Sequence, residues 1–322
     1  MMKSLLSSLT VVLLLVIATS HLRAQAYPNQ AISVVMPLAA GDAADIACRA
    51  MAEELSKLLK VPVIVVNKPG AGGTLGTDSV VKAKKDGYTI LLTNNAALVY
   101  NRILTPDSVQ YDPFKDLTPL GLATRFPLLL IIRPDAPYKS FNELVEFSKK
   151  NPGKIRVGTV GAGSVGHFTL EIINSLTGAG LTMVPFKGAS PGVTALLGGH
   201  VEGGVLALGT LLGHVKSGAM KGILTSSKIP EYPEIPTLPQ LGYRQNLFGV
   251  WLAFFAPAGV PAEVTKALIP AIEKAVKEPA VVSKLAGLGM VQDYVPPEKL
   301  FTEVREEHRI VEEIAKKAGL VK

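Results

Sequence analysis

Charged residues and cysteine are scarce in this sequence. Only 18% of its 322 residues are charged, 48% are apolar, and Cys48 is the single cysteine. One thiol excludes a disulfide framework, and the high apolar content excludes a disordered chain. The 30 glycines and 23 prolines follow no period, which excludes a collagen-like or low-complexity protein. At about 150 residues per domain, the length predicts about two domains.

The apolar run near the N-terminus is too short to cross a bilayer. Lys3 precedes an almost unbroken apolar stretch over residues 9–18, about half of the ~20 residues that a transmembrane helix needs. Ala24, Gln25 and Ala26 then form the small-x-small pattern of a cleavage site. This pattern predicts that residues 1–26 are a secretory signal peptide, cleaved after Ala26, and that the mature protein is periplasmic.

The net charge of +7 is dispersed along the chain. Its densest basic cluster, formed by Lys82, Lys84 and Lys85, has no interleaved aromatic residues, which argues against nucleic-acid binding. We interpret the excess as a weak field that favours small anions. Export agrees with this interpretation, because the compartment outside the inner membrane offers no nucleotide pool.

Short apolar runs alternate with helical patterns after the signal peptide, and the alternation restarts near residue 128. Four prolines between residues 229 and 239 exclude regular structure there. Ser140 and Glu143 form a capping box that opens a helix. Strands are predicted at residues 32–36, 63–66, 89–92, 128–132, 155–160, 182–184, 222–225 and 250–256. The final helices are predicted at residues 261–277, 279–286 and 297–318.

This order of elements predicts an α/β protein of two lobes with a cleft between them. Each lobe is expected to be a mainly parallel sheet flanked by helices. The last strand and helices have no second sheet of their own, so the chain is expected to return to the first lobe. Crossover strands are predicted near residues 128–133 and 250–256. Lobe 1 then comprises residues 27–126 plus 251–322, and lobe 2 comprises residues 127–250.

Three loops rich in small residues follow predicted strands and precede helices, at residues 37–45, 67–74 and 161–167. In open α/β sheets such loops lie at the carboxyl ends of strands, where helix N-termini present unpaired N–H groups. Each bond from such a group to a carboxylate contributes about 1.5 to 3 kcal/mol. Any one loop could be only a tight turn, but together they predict a binding site for a small carboxylate.

The third loop also fits two enzyme motifs. Gly161, Gly163 and Gly166 match the dinucleotide fingerprint, but no acid follows about 20 residues later where the ribose would require one. Residues 162–166 differ by one residue from the nucleophile elbow of α/β-hydrolases, which would make Ser164 a nucleophile.

A hydrolase would also need an acid and a later histidine, for which Glu202 with His214 or His308 are loose candidates. We interpret the polar stretch at residues 305–309, which contains His308, as a solvated helix face. The histidines show no metal-ligand spacing, and one thiol cannot build a thiolate site. We therefore expect no catalytic residue, no metal and no cofactor.

Longer motifs resemble those of the periplasmic solute-binding receptors of tripartite tricarboxylate transporters, the Bug or TctC-like proteins. The resemblance covers nearly all of the chain after the signal peptide. Its most specific segments are N-K-P-G-A-G-G-T-L-G at residues 67–76, D-G-Y-T at 86–89, V-P-F-K-G at 184–188 and L-L-G-G-H-V at 196–201. Such a resemblance implies a type II-like Venus flytrap that closes on a carboxylated metabolite and is not an enzyme.

The resemblance also implies which residues bind the ligand. In the family, the backbone of the first loop holds one carboxylate and the third loop faces it. Thr74, Thr93 and Asn94 lie where polar groups could complete the site. The expected ligand-binding residues are therefore Gly41, Asp42, Ala43, Ala44, Asp45, Thr74, Thr93, Asn94, Gly163, Ser164, Val165 and His167.

The first loop departs from the family pattern. Ala40 and Asp42 stand where the family usually has Pro and Gly, and Ala44 stands where Thr or Ser is common. An inward-pointing Asp42 would repel an anion by about 1 to 4 kcal/mol at a separation of about 4 Å. Asp42 either points to solvent as an ordinary N-terminal helix residue, or it meets an amine on an amino-acid ligand.

The sequence as a whole predicts an exported receptor that captures a small carboxylate or amino acid and delivers it to the permease subunits of a membrane transporter. We expect a monomer that binds no nucleic acid. A secreted serine hydrolase using Ser164, and a binding protein that signals to a membrane sensor kinase, are the alternatives. The identity of the ligand stays open.

Overall fold

The structure is a computed structural model that describes residues 27–161, 163–186, 188–317 and 319–321. The predicted signal peptide, residues 1–26, and its cleavage site lie outside the described residues. Within the described part of the chain, no helix combines the length and the apolar character that crossing a membrane requires.

Strands and helices alternate as expected for an α/β protein. The strands are β1 (Ile32–Met36), β2 (Val63–Asn67), β3 (Thr89–Asn94), β4 (Leu117–Phe126), β5 (Leu128–Ile132), β6 (Arg156–Thr159), β7 (Thr182–Pro185), β8 (Gly203–Ala207), β9 (Lys221–Thr225), β10 (Val250–Pro257) and β11 (Val291–Val295). The helices are α1 (Ala43–Leu59), α2 (Thr74–Val81), α3 (Asn101–Leu104), α4 (Pro113–Asp116), α5 (Phe141–Lys150), α6 (Val165–Thr177), α7 (Ala189–Leu197), α8 (Leu208–Lys216), α9 (Ala262–Lys277), α10 (Pro279–Gly287) and α11 (Pro297–Lys317).

The strands form two sheets, one in each lobe, and the two-lobed α/β architecture is confirmed. The first sheet has the order β11-β4-β10-β3-β1-β2, and the second has the order β7-β6-β8-β5-β9. The first sheet therefore combines strands from the start of the chain with the late strands β10 and β11. The second sheet takes its strands from the middle of the chain.

Both sheets are mixed, which corrects the expectation of mainly parallel sheets. In the first sheet β1 pairs in parallel with β2 and β3, whereas β10 runs antiparallel to β3 and β4. In the second sheet β6 pairs in parallel with β7 and β8, whereas β5 runs antiparallel to β8 and β9. The antiparallel pairs arise because β4, β5 and β10 flank the places where the chain passes between lobes.

The two passages between the lobes lie side by side. The outgoing passage is Pro127, which separates β4 in the first sheet from β5 in the second. The return passage leads from β9 to β10 over residues 226–249, and it includes the predicted proline-rich loop. Ser226 N–H donates to the carbonyl of Leu128, and Val250 pairs with Phe126. We refer to this paired strip of backbone between the lobes as the hinge region.

The sequence did not reveal β4, β8 and β11. β8 begins with two glycines, and a Cβ on Gly203 would lie 3.2 Å from the carbonyl oxygen of Ile131 on β5. Only a residue without a side chain fits there easily, although glycine is a poor strand former. β4 contains Pro119 and Gly121, and its pairing with β10 carries two irregularities. Their glycine and proline residues therefore hide β4 and β8 from a prediction based on residue preferences. Pairing with neighbouring strands is what stabilises them.

Local signals set the helix ends that the sequence did reveal. Ser140 Oγ accepts a hydrogen bond from Glu143 N–H, as the capping box predicts. The Glu143 carboxylate in turn accepts a hydrogen bond from Lys139 N–H. Helix α1 packs Cys48 into the core with no solvent exposure, and burial raises the pKa of this thiol.

The lobes contact each other at several places. Tyr100 of lobe 1 and Phe168 of lobe 2 meet edge to face with ring centroids 5.1 Å apart. Gly209 of α8 lies directly against Gly289, the turn before β11, so that a Cβ on Gly289 would lie 2.3 Å from the Gly209 Cα. Helix α11 packs against both β4 and α6, and therefore spans the two lobes.

Candidate functional site

The first candidate loop forms the N-terminus of α1. Asp42 is the N-cap residue, exposed to solvent, and its Oδ1 accepts a hydrogen bond of 2.8 Å from Ala44 N–H. Gly41 has a φ of +84°, and its N–H donates to Asp45 Oδ2 at 2.9 Å. The N–H groups of Ala43 and Asp45 are the first-turn donors of α1 that have no partner among the described residues.

Asp45 is buried, and its carboxylate stabilises the first loop through hydrogen bonds. Its carboxylate accepts hydrogen bonds from Arg49 Nε at 2.9 Å and from Asn67 Nδ2 at 2.8 Å. Burial alone would raise the pKa of Asp45, but the hydrogen bonds from Arg49, Gly41 and Asn67 outweigh it and hold the pKa below its usual range. Asn67 Nδ2 also donates to the carbonyl of Leu38. The Asp45 side chain therefore bonds the end of β2 to α1.

The second candidate loop lies beside the first. A Cβ on Gly73 would approach Pro37 of the first loop at 3.6 Å and Ala97 at 3.3 Å. Thr74 is buried, and its hydroxyl donates to the carbonyl of Ala71 at 2.9 Å. Asn101 Nδ2 donates to the carbonyl of Gly72 at 3.2 Å. Ala97 and Asn101, in the segment that follows β3, thus contact the second loop and hold it in place.

Thr93 and Asn94 end β3 and are both buried. The Thr93 hydroxyl lies 3.4 Å from the Thr77 hydroxyl, and Asn94 Oδ1 accepts a bond of 3.2 Å from Ala97 N–H. These two side chains connect the strand to α2 and to the turn that supports the second loop. Asn94 Nδ2 donates to no acceptor among the described residues, so it is available as a donor at this edge of the sheet.

The third candidate loop caps α6 through Ser164. Its hydroxyl donates to the carbonyl of Gly161 at 2.7 Å and accepts from His167 N–H at 3.2 Å. Gly163 N–H donates to His167 Nδ1 at 3.0 Å, which makes Nδ1 an acceptor in the neutral ring. Val165 is buried, and its N–H and that of Gly166 have no partner among the described residues.

His167 is held neutral by its surroundings. Burial lowers the pKa of His167, and the carboxylate of Glu171, 3.8 Å from Nε2, offsets this only in part. A proton on Nδ1 would remove the acceptor that Gly163 uses. Protonation of His167 would therefore remove one of the hydrogen bonds that hold the third loop, while both bonds of the Ser164 hydroxyl would remain.

The geometry gives no support to a catalytic triad at Ser164. Glu202 pairs with Arg156 at 2.8 Å, and the nearest carboxylate to His308 is Glu312 at 3.9 Å. Neither Glu202 nor His308 is bonded to Ser164. The serine hydroxyl instead fixes the first turn of α6.

The structure brings the first two loops together and connects the third to them indirectly. A Cβ on Gly163 would lie 2.7 Å from Leu104 Cδ1, at the end of the short helix that begins with Asn101. None of the described contacts joins the first loop directly to the third. Sequence reasoning missed the supporting residues Ala97, Asn101 and Leu104, which belong to no motif.

A cavity of about 800 Å³ lies away from the candidate loops. It is bounded by the return passage, by the hinge end of the first sheet and by α11. Trp251, Arg125 and Glu307 are among its lining residues, whereas none of the predicted ligand-binding residues lines it. The five charged and polar residues at 305–309 are not a uniformly solvated face, because Glu307 is only 2% exposed.

Two α/β lobes joined by paired hinge strands, with helix N-termini at the carboxyl ends of the strands, define a bilobal binding protein. The family model described as "Tripartite tricarboxylate transporter family receptor" matches residues 47–320. The chain therefore belongs to the TctC family of tripartite tricarboxylate transporter receptors. It is a periplasmic solute-binding receptor and not an enzyme.

Known proteins agree with this assignment over nearly their whole length. Protein BugT of Bordetella pertussis is 32% identical over 301 residues, which cover 93% of this chain and 90% of BugT. A TctC solute-binding protein from Polaromonas, solved without ligand, superposes with a TM-score of 0.83 at 27% identity, covering 90% of this chain and 99% of that one. MatC from Rhodopseudomonas palustris, solved with bound malate, is 29% identical with a TM-score of 0.68, covering 89% and 99%.

Proposed function

We propose that this receptor binds a small carboxylate between its lobes through backbone N–H groups and delivers it to a tripartite membrane transporter. In this proposal lobe 1 comprises residues 27–126 and 251–322, lobe 2 comprises residues 127–250, and the receptor acts as a monomer. Its signal peptide is removed after Ala26.

One observation carries the proposal. The side chains of Asp42 and Ser164 are already bonded within the protein, and each first turn keeps two backbone donors that have no partner among the residues the structure describes. Ala43 and Asp45 supply them at α1, and Val165 and Gly166 supply them at α6. Unpaired N–H groups at a helix N-terminus form a site for an anion, since the helix dipole also favours negative charge there.

The charged side chains of Arg49 and Asp42, near the first loop, already form hydrogen bonds within the protein. Arg49 Nε donates to Asp45, and Nη2, one of its two terminal nitrogens, donates to Asn67 Oδ1 at 2.9 Å. Asp42 is exposed and caps α1 with its own carboxylate. These contacts favour a ligand that is recognised by its carboxylate and needs no amine. The malate bound to MatC is consistent with a ligand of this class.

Proline substitution at the first position of a helix tests the backbone donors one at a time. Proline is tolerated at that position and lacks only the N–H group. The preceding residues already have the extended conformation that proline requires, with ψ of 152° at Asp42 and 162° at Ser164. We expect Ala43→Pro and Val165→Pro each to weaken carboxylate binding by about tenfold or more, because each loses one charge-assisted bond.

The matched control is Ala262→Pro, at the first position of α9, where Pro261 has ψ of 150°. Calorimetric titration with a panel of organic acids, including malate, measures the affinities. The control should bind as the unmodified protein does. Equal affinity of all three variants would contradict the proposed site. Uptake of labelled ligand into vesicles that contain the membrane subunits, with and without receptor, tests delivery.

A further inference from the structure

Glu307 lies in the middle of α11 and is almost completely buried, with 2% exposure. Its carboxylate accepts three hydrogen bonds from uncharged donors. Oε1 accepts from Asn95 Nδ2 at 2.7 Å and from the Tyr100 hydroxyl at 3.0 Å, and Oε2 accepts from Trp251 Nε1 at 2.7 Å. A buried carboxylate with three donors is a costly group to keep unless the connections it makes are needed.

Two of the three donors reach the hinge region. Trp251 is the second residue of β10, immediately after the return passage. Asn95 directly follows β3, and its Nδ2 also donates to the carbonyl of Gly249, at the end of that passage, at 2.9 Å. Glu307 thus bonds α11 to the end of β3 and to the strand that enters from the other lobe.

The same group of contacts reaches the second and third candidate loops. Asn95 directly precedes the helical turn Ala96–Tyr100, which ends with Tyr100 and whose Ala97 packs against Gly73 of the second loop. Tyr100 contacts Phe168 on α6, the helix that the third loop caps. The Glu307 carboxylate therefore bonds directly to residues that contact the hinge region, the segment behind the second loop and the helix that the third loop caps.

We propose that Glu307, in its carboxylate form, is a positioning residue that holds the ligand-binding loops in register with the hinge, so that full ligand affinity depends on it. The proposal rests on the proposed function in its ligand-binding part. Glu307 itself does not touch the ligand in this proposal.

Protonation of Glu307 would weaken this arrangement. The Tyr100 hydroxyl can accept as well as donate, so an added proton on Oε1 would reverse the direction of that hydrogen bond. Asn95 Nδ2 and Trp251 Nε1 can only donate, and they would then donate to an uncharged acid instead of a carboxylate. Hydrogen bonds to a charged group are roughly twice as strong as those between neutral groups. The bonds that connect α11 to the hinge region are therefore weaker when Glu307 is neutral.

Burial raises the pKa of Glu307, and the bonds from Trp251, Asn95 and Tyr100, together with Arg125, offset this in part. Two arginines on the elements packed around α11 are paired. Arg125 pairs with Asp293 and with Glu303 of α11 itself, and Arg102 pairs with Asp112. Glu171 on α6 lies 3.8 Å from Nε2 of the neutral His167. On α11 itself, Glu306 pairs with Arg309, Arg305 lies over the Phe114 ring, and His308 lies near Glu312.

Glu307→Gln tests the proposal, with Glu306→Gln as the matched control because Glu306 is the exposed neighbour on the same helix. The probe is malate, titrated between pH 7 and pH 5. We expect Glu307→Gln to bind malate about tenfold more weakly at pH 7, which is within the usual range for coupling between a remote group and a binding site. We also expect this variant to lose the part of the pH dependence of binding that arises from Glu307. Protonation of malate itself is common to all three proteins and cancels in the comparison.

Trp251 provides a second measurement that needs no ligand. It is the only tryptophan in the sequence, so its indole N–H signal in a nitrogen-15 spectrum reports the bond to Glu307 directly. That signal should titrate with pH in the unmodified protein and in Glu306→Gln, and it should not titrate in Glu307→Gln. If the unmodified protein binds none of the organic acids, the proposed function fails, while the indole signal still tests whether Glu307 ionisation reaches the hinge.

An indole signal that does not change with pH, or a Glu307→Gln protein with unaltered affinity and pH profile, would overturn the proposal. Circular dichroism checks that the variant is folded. Should Glu307→Gln not fold, Trp251→Phe removes one donor and keeps the carboxylate. It should then bind malate more weakly than the unmodified protein and retain the pH dependence, and unchanged binding would again overturn the proposal.

Discussion

The contact between Gly209 and the turn before β11 yields a quantitative prediction about how the lobes meet. A Cβ on Gly209 would lie 2.5 Å from the carbonyl oxygen of Leu288, well inside the 3.4 Å at which ordinary contact begins. The obstacle is backbone and cannot rotate away. Gly209→Ala must therefore move one lobe against the other or strain both.

Two opposing free energies decide the size of the effect. Alanine in a helix interior is more favourable than glycine by about 0.5 to 1 kcal/mol. Overpacking a close contact costs about 1 to 3 kcal/mol. Gly213 lies on the same helix, and a Cβ there would meet nothing within 4 Å. We expect Gly213→Ala to be stabilised, and Gly209→Ala to be less stable than Gly213→Ala by about 1 to 3 kcal/mol.

Urea unfolding followed by circular dichroism measures both free energies, and small-angle scattering measures whether Gly209→Ala also changes the separation of the lobes. If Gly209→Ala and Gly213→Ala gained the same stability, the two lobes would not be in contact at this turn in solution. The reasoning on the interlobe contact would then be refuted.

Three further predictions concern the helix-capping loops. Asp42→Gly should cost only a few tenths of a kcal/mol as a cap and leave ligand preference unchanged, and a shift in preference between amino acids and plain acids in competition assays would contradict this. Because the pKa of Asp45 is lowered, its stabilisation should be present above about pH 4 and disappear as the pH falls below that value; Asp45→Asn, followed by thermal melts, should lose about 1 to 3 kcal/mol at pH 7 and flatten the pH profile. Because the pKa of His167 is lowered, its stabilisation should be present above about pH 6.5 and be lost as the pH falls through the depressed value, whereas His167→Asn, which keeps an acceptor for Gly163, should show no such loss.

The sequence predicted those parts of the fold whose local signals agree with their final environment. β1, β2 and β3 are short apolar runs, and Ser140 caps its helix as the motif predicts. β8 could not be predicted, because Gly203 and Gly204 disfavour a strand and are selected by the close approach of β5. Short-range preferences do not contain such contacts.

The candidate site could likewise be predicted from the sequence only in part. Glycine-rich loops before helices could be found from their spacing, but the sequence did not show which N–H groups remain unpaired after capping. Glu307 illustrates the limit most clearly, since its neighbours are polar and the stretch looks solvated. Its position is nevertheless in phase with Leu300, Val304, Val311 and Ile314, which line the buried side of α11. Helical periodicity could have located it, whereas its three donors come from distant parts of the chain.

The burial of Cys48 has a practical consequence for handling this protein. An accessible lone thiol in an oxidising compartment would be free to form mixed disulfides and covalent dimers. With no exposure and a raised pKa, Cys48 offers almost no thiolate to oxidants or alkylating reagents while α1 remains packed. Its rate of modification by a maleimide therefore reports how often the core of the first lobe opens, and the native chain needs no engineered label for that measurement.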